Sequence, residues 1–270
     1  MEAQTQAQTK TNQNQKQNKE ILEFVKKRFV LKFGKSEKLF KQAIKDFNNI
    51  KDFDPNGNIY DTQSSSFLTN ESFYCMKLIA QYHLNKVFET LKISLTDPNT
   101  KEDLETGNIG TTGRIIKTWS SGDLDDTTEF LSGRWNKSPR LAVFPNNGHK
   151  DVVYIKCDLN SVCSHHFIRF GENYNKDNES FVLIGYVPKD KVLGISKINR
   201  FVQWVAARAW LQEDLTNYLG KCIQDITKSD DVLVEIKNAQ HGCATFRGAK
   251  DRSASTSTSY KSGIFVNKDI

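Results

Sequence analysis

No run in the 270 residues approaches the roughly 18 consecutive apolar side chains of a membrane-spanning helix, which excludes a helical membrane protein. The opening residues, MEAQTQAQTKTNQNQKQNKE, lack the apolar stretch and small-residue cleavage site of a secretory signal, so the expected location is the cytoplasm. Cysteine is sparse. Cys75, Cys157, Cys163, Cys222 and Cys243 are too few and too scattered for a disulfide scaffold, and they read as thiols, buried side chains or metal ligands. A basic block is also missing: 38 Lys and Arg against 32 Asp and Glu give a formal charge of +6, spread along the chain. Nucleic-acid binding is therefore not suggested, whereas a local pocket for a small anion is compatible with this balance. What is present is an ordinary globular composition, 37% hydrophobic and 26% charged, enough for one sizeable core with an appendage.

Residues 1–19 are Gln, Thr, Asn and Lys with no apolar period, and they read as a disordered tail. From Ile21 the apolar residues recur at helical spacing, through Phe24, Val25 and Phe29, then Leu39, Phe40, Ala43 and Ile44, with a break at Phe33-Gly34. DFDPNGN (52–58) is turn chemistry, Glu71 to Leu91 is a further helix, and 95–113 reads as a loop. This makes 20–104 a helical N-terminal region. The remainder, 105–270, changes character. Val152–Cys157 and Phe181–Val187 are β-branched and aromatic runs, hence strands. Two helices follow between Ser196 and Ile226, then strands through Val232–Ile236 and from the Ser/Thr-rich run into Gly263–Val266. The order strand, strand, helix, helix, strand, strand describes an α+β unit, with antiparallel hairpins in one layer and helices in the other.

Four segments carry chemistry. In Cys163-Ser164-His165-His166, a turn would put Cys163 and His166 on one face, able to reach a common ion. His241-Gly242-Cys243 follows the strand through Ile236, and both pieces sit at the edge of an expected hairpin. Two thiolates and one imidazole leave one tetrahedral position open, the arrangement of a hydrolytic zinc ion, and soft sulfur donors favour zinc. A closed zinc site completed by Cys157 or His149, or a buried Cys beside a surface His, fits the same residues. His165 and His241, each beside a ligand, are placed to move protons. In the third segment Ser196 reads as the N-cap of a helix whose first-turn N–H groups, with Lys197 and Arg200, attract an anion; Arg247 adds a guanidinium suited to phosphate. In the fourth, Gln212-Glu213 at a helix start can pair with a guanine edge, or simply complement the helix dipole.

In this order the segments resemble the GTP cyclohydrolase I family. CSHHF is similar to the family's C-E-H-H signature, and GISKINRFVQ, LQEDLT and HGCATFRG with SASTSTS resemble its later ones, over about residues 105–270. The resemblance implies the tunnelling fold (ββααββ) and hydrolysis of GTP to 7,8-dihydroneopterin triphosphate and formate, in pterin, folate or 7-deazaguanine synthesis. It implies zinc on Cys163, His166 and Cys243, with His165 delivering a proton to the opening ring and His241 assisting. Gln212 and Glu213 would anchor guanine, and Ser196 would lie near the ribose. Lys197, Arg200 and Arg247 would clamp the triphosphate, joined by Arg114 of an adjacent subunit. The assembly implied is a homo-oligomer, a decamer of two stacked pentamers.

Three departures stand out: Ser164 in place of the acidic residue, Thr112 in TTGRIIK where T-P-x-R-I-A-K has Pro, and the long GENYNKDNES, read as an exposed hairpin loop. They leave room for a second reading, a catalytically inactive tunnelling-fold binding protein whose helical N-terminal half contacts a partner or nucleic acid.

Overall fold

The computed structural model describes residues 2–49, 69–120, 131–135, 138–171 and 179–267. These fall into two compact units, one ending with residue 120 and the other beginning at 131. The first therefore extends past the expected boundary at 104, because a helix not anticipated in the 95–113 loop, Gly110–Ser120, packs with the helical elements.

The helical unit comprises α1 (Glu2–Phe33), α2 (Glu37–Asn48), α3 (Asn70–Thr90) and α4 (Gly110–Ser120). Helix α1 runs back through the segment expected to be a disordered tail. Its Gln, Lys, Ala and Glu residues favour helix, and no Gly or Pro interrupts propagation from the packed turns at 20–33. Gly34, at φ +81°, ends α1 as the sequence implies, and the Ser36 side chain accepts from the Leu39 N–H to start α2. Val25, Phe29, Phe40, Ala43, Cys75 and Leu78 form one apolar cluster between α1, α2 and α3. Burying each large side chain contributes about 1.5–3 kcal/mol. Burial pushes the Cys75 thiol up to about 12, leaving it inert. No helix among the described residues is long and apolar enough to cross a membrane.

The second unit comprises α5 (Ser132–Trp135), β1 (Val143–Pro145), β2 (Val153–Cys157), β3 (Ser161–Cys163), β4 (Ile168–Phe170), β5 (Phe181–Tyr186) and β6 (Lys191–Leu193). After these come α6 (Ile195–Ala206), β7 (Ala209–Trp210), α7 (Gln212–Thr227), β8 (Val232–Ala239), α8 (Gly242–Thr245) and β9 (Thr256–Lys261). An antiparallel sheet in the order β2-β5-β8-β9 carries the expected ββααββ pattern. Ile155, Ile184, Val234 and Tyr260 share one register position and one face, on which α6 and α7 pack. Gly220 lets α7 approach: a Cβ there would lie 2.2 Å from the Tyr260 ring.

The last strand ends earlier than expected. The Ser/Thr run is β9, but Gly263–Phe265 turns as a 3-10 helix, with Gly263 at φ +56° and the Asp231 carboxylate accepting from the Ile264 N–H. GENYNKDNES lies mostly outside the described residues. Two smaller sheets complete the unit: β1 with β6, and β3 between antiparallel β4 and parallel β7.

Candidate metal centre

Cys163 is the last residue of β3. The chain then turns through Ser164–Phe167, closed by the Phe167 N–H donating to the Cys163 carbonyl at 2.9 Å, with Phe167 left-handed at φ +52°. The Ser164 N–H donates to the Trp210 carbonyl on β7, which fixes the start of the turn.

The other half of the site arrives at the end of β8. A register shift between Ile236 and Ala239 bends that strand toward β4, where the Gly171 N–H donates to the Gln240 carbonyl and Phe170 bridges His241. His241 is the N-cap of α8, whose first turn carries Cys243. Gly242 sits against β4, where a Cβ would lie 2.4 Å from Ile168 Cγ2 and 3.0 Å from the Arg169 carbonyl oxygen. Only glycine permits that approach.

As a result the Sγ atoms of Cys163 and Cys243 and a ring nitrogen of His241 lie within 4.8 Å of one another. Cys163 is buried, and the other two are half-buried. Burial pushes the Cys243 thiol up, the neighbouring Cys163 adds to this, and Arg247 opposes it. Burial holds the His241 imidazole below its ordinary range, against the pull of Glu213. The His241 ring stacks on Phe170 at 4.6 Å between centroids and 3° between planes, and its Nε2 is 2.8 Å from Gln212 Oε1.

Two sulfurs and an imidazole are soft N/S donors of the kind zinc takes, and donors on one tetrahedral zinc stand about 4 Å apart. The cluster fits that ion. Of the three ligands implied by resemblance, Cys163 and Cys243 meet, and His241 stands with them instead of His166. His166 is exposed, with Nε2 accepting from Arg247 Nη1 at 2.5 Å, and its ring meets that of exposed His165 edge to face.

The segment expected to bind an anion differs in one respect from its sequence reading. The N-cap of α6 is Gly194, so the helix begins before Ser196, which is exposed within its first turn and caps nothing. The Gly194 carbonyl already accepts from the Lys197 and Ile198 N–H groups, which explains the earlier start. Lys197 is half-buried and Arg200 exposed on the following turn.

Gln212 and Glu213 open α7 as expected. Glu213 is exposed, while the Gln212 amide is buried and bonded to β9. Arg114 belongs to the helical unit, where its guanidinium donates to Asn108 Oδ1 at 3.0 Å and the Asn99 carbonyl at 3.1 Å. Sequence reading missed Phe170, Thr256 and Thr258 as partners of the site. The alternating Ser/Thr strand was the available signal for the two threonines.

Antiparallel ββααββ connectivity, with helices on one face and a sulfur–imidazole cluster at the end of β8, is the arrangement that the resemblance to a tunnelling-fold enzyme implies. A family model described as GTP cyclohydrolase I matches residues 96–269. GTP cyclohydrolase 1 of Aeromonas salmonicida is 32% identical over 186 residues, covering 68% of this chain and 74% of that protein. The Photobacterium profundum protein of the same name is 31% identical over 188 residues, covering 68% and 76%. The chain belongs to the GTP cyclohydrolase I family.

Proposed function

We propose that this chain hydrolyses GTP to 7,8-dihydroneopterin triphosphate and formate with the help of a zinc ion. The observation that carries the reading is the convergence of Cys163, Cys243 and His241 in a member of this family. These cysteines and one imidazole would hold the zinc, with His241 supported by its position and His166 by the resemblance. Bound there, zinc supplies a Lewis acid that allows water to attack near neutral pH.

The chain's own residues supply the rest. Glu213, exposed at the start of α7, accepts from the guanine N1–H and 2-amino groups, with Gln212 beside it. His165, exposed on the turn after Cys163, delivers a proton to the opening imidazole ring, and His241 assists proton transfer. Ser196 lies near the ribose. Lys197, Arg200 and Arg247 neutralise the triphosphate, and Arg114 reaches it from an adjacent subunit of a decameric ring. The product enters pterin, folate or 7-deazaguanine synthesis in the cytoplasm.

The test is direct. Zinc-replete protein incubated with GTP releases formate and yields a fluorescent pterin after oxidation; no turnover in a zinc-replete sample overturns the reading.

A further inference from the structure

We infer that Gln212 is a positioning residue, which holds His241 in the Nε2–H tautomer rather than reading the guanine edge. A main-chain carbonyl oxygen can only accept. Gln212 Nε2 lies 3.3 Å from the Thr256 main-chain carbonyl oxygen, so this end of the amide must be the NH2 donor. The same nitrogen donates to Thr258 Oγ1 at 3.1 Å, and Thr258 in turn is 2.7 Å from Thr216 Oγ1. Thr216 donates its hydroxyl to the Gln212 main-chain carbonyl at 2.8 Å. The chain of donors is thus closed and leaves one orientation for the amide.

Oε1 consequently faces His241. It accepts from the Thr256 hydroxyl at 2.6 Å, and the His241 nitrogen 2.8 Å away must be a donor as well. Neutral imidazole carries one proton, so Nδ1 is the lone-pair nitrogen, the form that can take a metal or a proton. The Phe170 stack fixes the ring plane but not which way round the ring lies; Gln212 selects between the two. With both ends of its amide engaged and its residue only 3% exposed, Gln212 presents no spare donor to a base.

The test uses the full-length chain labelled with 15N at its five histidines, His241 being identified by its loss in His241→Asn. Magic-angle-spinning nitrogen spectra near pH 8, above the ordinary imidazole pKa of about 6.5, separate protonated from lone-pair nitrogens. Wild-type protein is expected to show Nε2–H with and without chelator. In chelator-treated Gln212→Met that signature gives way to a tautomer mixture. Only the kinetic arm rests on the proposed GTP reaction: Gln212→Met should lower kcat about 10–100-fold with KM for GTP within about 2-fold. Gln212→Glu keeps the acceptor toward His241 but turns a carboxylate oxygen toward the Thr256 carbonyl, so it should keep Nε2 protonated while recovering only part of kcat. An unchanged tautomer in Gln212→Met, or a raised KM with kcat preserved, overturns the inference. Should Gln212→Met fail to fold, Gln212→Asn withdraws the acceptor by one methylene and is held to the same outcomes. If wild-type protein does not turn over GTP, the proposed function falls while the nitrogen spectra still decide this point.

Discussion

Replacing Gly242 with alanine tests how the cluster is assembled. The new Cβ would stand 2.4 Å from Ile168 Cγ2 and 3.0 Å from the Arg169 carbonyl oxygen. Carbon pairs settle at about 3.5–4.0 Å, so roughly 1 Å of movement is required. Ile168 is β-branched and stiff at χ1, and Arg169 is strand backbone paired with β3, so neither gives way easily. The element left to move is α8, which carries Cys243. Overpacking of this size costs about 1–3 kcal/mol, or about 2–4 °C in Tm per kcal/mol for a chain of this size. Ligand distances tolerate only about 0.2 Å, so zinc affinity should fall at least 10-fold, on the order of losses seen when a ligand loses its support. Chelator competition would measure the affinity and thermal unfolding the stability. Gly248→Ala is the control: Gly248 is left-handed, at φ +59°, so alanine strains the backbone there, but nothing lies within 4 Å of its Cβ position and zinc affinity should hold. A Gly242→Ala protein that binds zinc as tightly as wild type would refute the reasoning.

Three further outcomes follow, two at the cluster and one in the helical unit. Cys243→Ala should abolish both bound zinc and GTP turnover, whereas His165→Ala should keep zinc and lose most turnover; metal analysis beside the pterin assay separates the two. For the metal-free chain, burial lowers the folded pKa of His241 from 6.5, so its stabilising share is complete above about pH 6.5 and is lost as pH falls toward the folded value. His241→Gln should flatten the pH dependence of urea unfolding in that window, and an unaltered slope counts against it. In the helical unit, Arg28 and Glu102 form a two-contact ion pair with side chains 11% and 18% exposed. Glu102→Ala leaves the guanidinium only the Phe24 carbonyl and ring as partners and should cost about 1–3 kcal/mol in equilibrium unfolding; a loss under about 0.5 kcal/mol would show the pair to be solvated.

The central pattern was legible because Val153–Cys157, Phe181–Tyr186 and Val232–Ala239 are runs of β-branched and aromatic residues, and α6 and α7 carry apolar stripes at helical spacing. The small sheet of β3, β4 and β7 was not legible, since two- and three-residue strands carry no period. Helix α4 hid behind three glycines that ordinarily mark a loop, and Gly110 indeed serves the turn into it at φ +67°. At the cluster, sequence spacing put Cys163 with His166. The imidazole that joins the two cysteines, His241, was visible only as a neighbour of Cys243, and its place depends on a bulge in β8 that composition does not encode. Ser196 was misjudged as a cap because a serine before an apolar run is the stronger local signal, while the backbone of Gly194 supplied the start instead.

Cys163 comes from before both covering helices, and His241 and Cys243 from after them. Holding the three together in a cage requires pairings between segments far apart in the chain, β8 beside β5 and the end of β8 against β4. A nascent chain therefore offers an ion at most the local Cys163–His166 pair, without Cys243. Once the cage has closed, any ion that settles there drains the unfolded pool by mass action. Metal scarcity during synthesis should lower the yield of intact protein as well as the rate at which each copy works.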